Sequence, residues 1–397
     1  MLTRLRFLSA GESHGPCLTG ILDGMPAGLE LDPAGIDEQL RRRQTGYGAG
    51  GRMAIESDRV RFTGGWMGGR TTGGPICFEV VNKDFDNWRE RSIKPMVTPR
   101  PGHADLTGAI KYGHGDLRLA LERASARETA IRVAAGGICR QLLSVFGVEV
   151  GGYVTRIGDV AVEQRDDVSA EVLRGRAEQA LTNDLVCADG DVLEPMRAAI
   201  RTCKKAGDTL GGVFVVFALG VPPGLGSYVQ WDRRLEARIA LALTSIQAVK
   251  GVEIGCAFEN AGRLGSQVHD DIVKCDDGAL GRTSNRSGGI EGGITTGAPV
   301  FARVAKKPIS TTLEPRRSVN LATGEEAPTK YERSDFCAVP RAVPIGEAML
   351  ALVLADALLE KLGGDSVAEM RPRFDGLRRS HVDDLSMDDQ PWRFGYE

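Results

Sequence analysis

Histidine, arginine and glycine concentrate between Pro99 and Arg132, where the chain reads PRPGHADLTGAIKYGHGDLRLALERASARETAIR. His103 follows Arg100-Pro101-Gly102 and precedes Ala104-Asp105, so two prolines and a glycine fix the backbone, and Asp105 is close enough to orient the ring. Arg100, Arg123 and Arg127 are guanidinium forks suited to bidentate pairing with carboxylate or phosphate. Arg127 falls within the apolar phase of a helical pattern beside Ser125, where a solvated surface charge is a poor explanation. Outside this stretch, His14 lies in Gly11-Glu12-Ser13-His14-Gly15, where glycines let a ligand approach the backbone and the imidazole can protonate a leaving group near neutral pH. Arg43, Arg52 and Arg333 are further anion-binding candidates. Together these residues point to a multiply anionic small molecule. His114 sits in a flexible Gly-His-Gly, and His269 and His381 read as surface residues.

Several classes are disfavoured. A net charge of -3 and a pI near 6.1 give no general electrostatic case for nucleic acid. The eight cysteines form no CxxC pair and no zinc spacing, which predicts reduced thiols, a cytoplasmic setting and no metal. No signal core is evident, and no run reaches the ~18 apolar residues of a membrane span. Gly46 to Gly51 superficially resembles a dinucleotide loop, but it follows a helix rather than a strand. GxxxxGK[ST] does not occur.

The elements that must carry these groups are strands at 2–8, 18–22, 59–62 and 76–81, with a helix from Asp32-Pro33 to about Arg43. Lys83 to Thr98 reads as an exposed excursion. One helix of roughly 30 residues is expected from Asp116 to Phe146, with Ala134 to Gly137 marking a crowded face. Residues 148–210 read as a strand and two charged helical segments, and 211–219 as an apolar strand. A second long helix is expected from Asp232 to Gly251, then strands at 252–258 and 299–304, and a last apolar helix from Val343 to Leu362. The final ~25 residues are charged and read as surface-wrapping or mobile. The sum is an α+β layered sandwich.

The halves resemble each other. Ala10–Leu29 and Ala206–Leu225 match at seven of twenty positions, and Thr71–Lys83 and Thr295–Lys307 at six of thirteen. Matching pieces in matching order argue for internal duplication within one domain, 1–397. The copies run roughly over 1–147 and 200–364, with 148–205 inserted and a charged tail over 365–397. His14 aligns with Leu210, so folding that turn does not require a histidine, which favours a chemical role.

The ordered motifs resemble the chorismate synthase family over nearly the whole chain. They are Gly11-Glu12-Ser13-His14-Gly15, Arg41-Arg42-Arg43 with the Gly-Tyr-Gly loop, Arg100 to Asp105, Leu121 to Thr129, Ser245 to Gly251, Gly288 to Gly293, Lys307 to Ser310, and Arg333-Ser334-Asp335. The resemblance implies an α+β sandwich with long helices between antiparallel β-sheets, typically a homotetramer. The implied reaction is a 1,4-elimination converting 5-enolpyruvylshikimate 3-phosphate to chorismate and phosphate, last in the shikimate pathway. It requires reduced FMN (FMNH2) without net redox change. His14 would protonate the departing phosphate, and His103 would hold the reduced flavin in its useful protonation state. The flavin would lend electron density and help remove the proton through N5, with Asp335 as relay. The FMN site carried over comprises Arg123, Ala124, Ser125, Gln247, Ala248 (the latter two on the middle helix), Gly292, Lys307, Pro308, Ile309, Ser310, Thr311 and Arg333. The substrate-cavity arginines are Arg43, Arg52, Arg100 and Arg127. Ala49 stands where many members carry arginine, which removes one cation from the loop, and Gln247 replaces a more frequent asparagine. Two competing readings are a flavin reductase using NADPH (a nicotinamide fingerprint is missing) and an anion-binding regulatory protein retaining the fold without activity.

Overall fold

The structure, a computed structural model, describes residues 2–49, 57–163, 168–332, 334–385, 387–388 and 390–395. In the first half, β1 (Arg6–Ala10) and β2 (Cys17–Asp23) precede α1 (Pro33–Gln44), β3 (Val60–Gly64) and β4 (Ile76–Val81). Asp32 caps α1 by accepting from the backbone N–H groups of Ala34 and Gly35, with Pro33 in the first turn as expected. Three helices follow: α2 (Asp105–Tyr112), α3 (Arg118–Ala124) and α4 (Thr129–Val145).

The second half has β5 (Glu149–Ile157), α5 (Ala170–Ala180), α6 (Leu193–Lys205), β6 (Gly212–Leu219), α7 (Leu235–Thr244), β7 (Val249–Ile254) and β8 (Val300–Lys306). It ends in α8 (Val339–Leu362) and α9 (Val367–Asp375).

The first sheet has the order β1-β2-β4-β3, and the second, apart from a two-residue edge strand, β5-β6-β8-β7. All of these pairs are antiparallel. Leu18 pairs with Val80 and Leu22 with Ile76; at the aligned positions Phe214 pairs with Val304 and Ala218 with Val300. The fold is α+β. α4 and α8 form its buried centre, and Gly136 permits their close crossing, since a Cβ there would lie 2.3 Å from the Ala348 Cβ. This is the crowded face anticipated at 134–137. α8 starts at Val339, earlier than expected. It is long and apolar enough to cross a membrane, yet it is packed almost wholly inside the protein.

Three sequence expectations need correction, and all three bear on the site. The single helix over 116–146 is interrupted at Ser125, which is extended (φ -60°, ψ 142°) and whose hydroxyl accepts from the Arg127 N–H. The cap ends α3 and starts a one-turn 3-10 segment, 126–128, ahead of α4. The second long helix stops at Thr244, and Ala248 takes φ 66° before β7 begins, so Gln247 and Ala248 occupy a turn rather than a helix. Finally, the 83–98 excursion is only partly exposed: a 3-10 turn over Lys83–Asn87 buries Asp84 and sets Trp88 against His14.

Candidate active site

The turn after β1 presents His14, and Gly11 makes that turn possible. At φ 106° a Cβ on residue 11 would stand 2.4 Å from the Cys17 carbonyl oxygen. Glu122, on α3, takes two hydrogen bonds from His14: Nδ1 at 2.8 Å and the backbone N–H at 2.7 Å. Burial pushes the Glu122 carboxyl up, but the His14 bonds and charge outweigh it and hold the group below its usual range. The Trp88 ring covers His14 with centroids 4.3 Å apart, and its Nε1 donates to Asp84. The Ser125 hydroxyl donates to that of Ser13, and Arg123 donates to the carbonyl and hydroxyl of Ser9.

Ser9 also donates to Glu128, which receives Arg132 at 2.8 Å and the Gln247 amide at 3.2 Å. Lys306, at the end of β8, donates to the Gln247 carbonyl at 2.6 Å. The next residue, Lys307, donates its backbone N–H to Ala248 and its ammonium to the Gly102 carbonyl. Gly102 opens the His103 turn, where Asp105 is fully buried. Asp105 accepts from Arg100 Nε at 2.8 Å and from His103 Nδ1 at 2.6 Å. Arg100 Nη1 reaches Thr311 at 3.0 Å. Burial again raises the carboxyl, but the bonds from His103 and Arg100 hold Asp105 far below the ordinary range. Because Asp105 is ionised, His103 Nδ1 carries a hydrogen and donates to it; the Arg100 Nη2 contact at 3.1 Å reflects a shared partner, since guanidinium only donates.

A third group joins on the His14 side. Arg127 gives one nitrogen to both Asp58 oxygens at 2.7 Å and its Nε to Asn82 at 2.8 Å. Asn82 in turn donates to the carbonyls of Glu12 and Gly15, on either side of His14. Arg43 meets Asp58 at 3.3 Å and Thr129 at 3.0 Å. Burial, with Arg341 and Arg127 nearby, pulls Arg43 down to about 9 despite Asp58. Arg341 donates to the Arg43 carbonyl and pairs with Asp335.

The site therefore gathers His14, His103, Arg43, Arg100, Arg123, Arg127, Ser125, Gln247, Ala248, Lys307 and Thr311 around one contact network. Asp335 joins through Arg341 and Arg43, and no described bond ties it to either histidine. The Ile309 carbonyl is anchored by Thr209. Pro308 and Ser310 lie along the same segment, and Ser310 adjoins Gly102. Gly292 lies apart, in the turn of a hairpin formed by Ile290–Glu291 and Ile294–Thr295. Arg52 and Arg333 fall outside the described residues. Arg286, a buried cation elsewhere in the second half, is committed to Glu259 and Asn260.

Sequence reasoning missed Glu122, Asp58, Asn82, Glu128, Trp88 and Lys306. A buried arginine requires a carboxylate, so Arg127 within an apolar phase announced a partner, but nothing in the sequence says which one.

This is an α+β enzyme in which two histidines and several carboxylate-held arginines share one contact network, an arrangement suited to an anionic ligand. The chorismate synthase family model matches residues 5–359. The chorismate synthase of Aquifex aeolicus is 52% identical over 387 residues, covering 94% of this chain and 97% of that protein. That of Rubrobacter xylanophilus is 52% identical over 384 residues, covering 95% and 97%. A crystal structure of chorismate synthase superimposes with a TM-score of 0.79 at 46% identity, covering 94% of this chain and 97% of that one. The chain belongs to the chorismate synthase family, and it is a lyase of the shikimate pathway.

Proposed function

We propose that the chain converts 5-enolpyruvylshikimate 3-phosphate to chorismate and phosphate by 1,4-elimination, with reduced FMN as cofactor and no net redox change. The observation that carries this reading is the contact network, which brings two carboxylate-oriented histidines and three buried arginines beside the segments assigned to the flavin. The substrate has two carboxylates and a phosphate, and buried guanidinium groups suit all three.

In this reading, Glu122 holds His14 Nδ1–H, so the transferable proton of the imidazolium is at Nε2 and goes to the departing phosphate. Asp105 fixes His103 in the same way, with Nδ1–H on the carboxylate and Nε2 as the working nitrogen. Asp335 is the proposed relay for the proton lost from carbon, and its pairing with Arg341 sets its orientation. Trp88 helps keep water from His14.

The residues fit the flavin. Gln247 has a buried Oε1 without a partner among the described residues, which can accept from a ring N–H. A Cβ at Gly102 would come within 3.2 Å of Lys307 Nζ, so the glycine keeps a hollow beside that ammonium. Arg123, Ala124, Ser125, Lys307 through Thr311 and, outside the network, Gly292 are the proposed holders. When bound, reduced FMN supplies electron density that eases C–O cleavage.

The sheets' matched order and register support reading 1–397 as one internally repeated domain in which β5 takes the place of β1, so that within 148–205 only the part after β5 is inserted. A cytoplasmic homotetramer completes the proposal. The deciding experiment is an anaerobic assay with 5-enolpyruvylshikimate 3-phosphate, with and without chemically reduced FMN. Phosphate and chorismate in equal amounts are expected only with reduced FMN. No product despite binding of substrate and flavin overturns the reading.

A further inference from the structure

Among the described residues, the buried cations follow one rule with one exception. Arg43, Arg100, Arg127, Arg238, Arg286 and Arg341 each have a carboxylate partner. Lys306 is 8% exposed, yet among the described residues it has no carboxylate within ion-pair distance and one hydrogen-bond acceptor, the Gln247 carbonyl at 2.6 Å. An ammonium has three donors, and burying one with a single neutral acceptor costs several kcal/mol. Such a site is explained if an anionic ligand completes it.

The neighbours specify that ligand. The residue held by Lys306 is Gln247, whose own buried Oε1 is an acceptor without a partner among the described residues. A cation and an orphan acceptor at the same turn ask for a group that offers a negatively polarised carbonyl and an N–H together. The pyrimidine edge of an isoalloxazine ring has both, whereas a phosphate or a carboxylate offers no N–H. Ala248, next in the chain, keeps φ 66°, a conformation unusual for a residue with a Cβ. The Lys306 ammonium and the Lys307 N–H grip the carbonyls before and after it. The turn is thus held ready by the strand that carries the cation.

We propose that Lys306 is the fixed positive charge of the flavin site and that it makes this chain bind reduced FMN in preference to oxidised FMN. The inference rests on the cofactor reading above. Reduced flavin carries its negative charge at the edge described, so a fixed cation there favours that form. Sequence resemblance places the cofactor segment from Lys307 onward and leaves Lys306 without a role.

The charge is adjustable. Burial draws the Lys306 ammonium down to about 8, offset in part by Asp335 and reinforced by Arg341. The charged and titratable groups around it are Asp335, Cys337 and Arg341 at and before the start of α8, Lys307 on its own chain, and Glu128 across Gln247. The Cys337 thiol is pushed up to about 12 by burial and stays neutral, so Lys306 is the one expected to titrate between pH 7 and 9.

The test is the ratio of dissociation constants for oxidised and reduced FMN, measured anaerobically on wild type, Lys306→Met and Lys306→Gln. Wild type at pH 7 is expected to favour reduced FMN, with the ratio falling about tenfold in Lys306→Met, equivalent to about 30 mV for a two-electron couple. Lys306→Gln keeps a donor for the Gln247 carbonyl but no charge, so it should behave like Lys306→Met; rescue by glutamine assigns a hydrogen-bonding role and overturns the proposal. Raising the pH to 9 should bring the wild-type ratio toward the variants', which supply the baseline for the flavin's own titration. The pH dependence of wild type relative to Lys306→Gln decides the matter if Lys306→Met fails to fold. An unchanged ratio in both variants, or a loss confined to binding of 5-enolpyruvylshikimate 3-phosphate, overturns the proposal while leaving the cofactor reading standing. Failure of wild type to bind either form of FMN overturns both.

Discussion

Glu122 grips His14 at two points, with one carboxylate oxygen 2.8 Å from Nδ1 and the other 2.7 Å from the backbone N–H. The ring and its turn are therefore oriented by one side chain. Glu122→Gln keeps the shape and loses the charge, so kcat is expected to fall roughly 10- to 100-fold, less than the at least ~10²-fold of His14→Ala. The dissociation constant for FMN should be unchanged in both, because neither group belongs to the proposed flavin contacts. Wild-type turnover in His14→Ala, measured by phosphate release under anaerobic conditions, would remove His14 from the mechanism.

Asp58 is the shared counter-ion of Arg127 and Arg43, all three being buried. Asp58→Asn leaves two buried guanidinium groups without a full negative charge. A loss of about 3–5 kcal/mol in unfolding free energy is expected, read from urea titration at pH 7. The same variant should raise KM for substrate, since the arginines lose their fixed orientation. A stability change under ~1 kcal/mol would mean that the arginines find other acceptors.

What the sequence disclosed follows a physical divide. Periodicity and caps reveal local structure, so α1 with its Asp32 cap and the apolar strands were legible. Motifs in order revealed the family. Two breaks were not legible because side chains made them. The Ser125 hydroxyl takes the Arg127 N–H, interrupting a helix whose apolar phase runs through it. The turn at Ala248 is held from β8, about sixty residues away in the chain. Carboxylate partners were equally hidden: Asp58 and Glu122 lie 69 and 108 residues from Arg127 and His14, and only the fold selects among the acidic residues. Trp88 lay in a stretch whose polarity disguised its contact with His14.

Glu347 on α8 is almost fully buried and receives Arg42 at 2.6 Å and Arg140 at 2.7 Å. Burial raises its carboxyl, but the two arginines outweigh that and set it below 4.5. A carboxyl with a depressed folded-state value contributes stability that is present above its unfolded value and lost as pH falls through the folded one. Wild type should therefore exceed Glu347→Gln by roughly 3 kcal/mol at pH 7. The gap should narrow as the pH falls below about 4.5, the usual carboxyl range. A gap that persists unchanged in acid would mean that Glu347 acts through shape rather than charge.

Thr71 and Thr295 make the same bonds in the two halves. The Thr71 hydroxyl donates to the Pro26 carbonyl at 2.6 Å and accepts from the Leu29 N–H at 2.9 Å. Thr295 does so with Pro222 at 2.7 Å and Leu225 at 2.9 Å. The main chains agree as well: the Thr71 carbonyl accepts from Gly28, and that of Thr295 from Gly224. Two turns with one bonding pattern on matched sheets should respond alike to one substitution. Thr→Val preserves volume, removes both bonds and strands a buried carbonyl and N–H, at a cost of about 1–3 kcal/mol each. Thr71→Val and Thr295→Val should lose equal stability in urea to within ~0.5 kcal/mol, and the double variant should show the sum, since separated sites add. Unequal costs would mean that the halves share geometry without sharing the energetics of the repeat. Equal costs would make each turn an independent fastener of its own sheet, which is what a chain built twice on one plan requires.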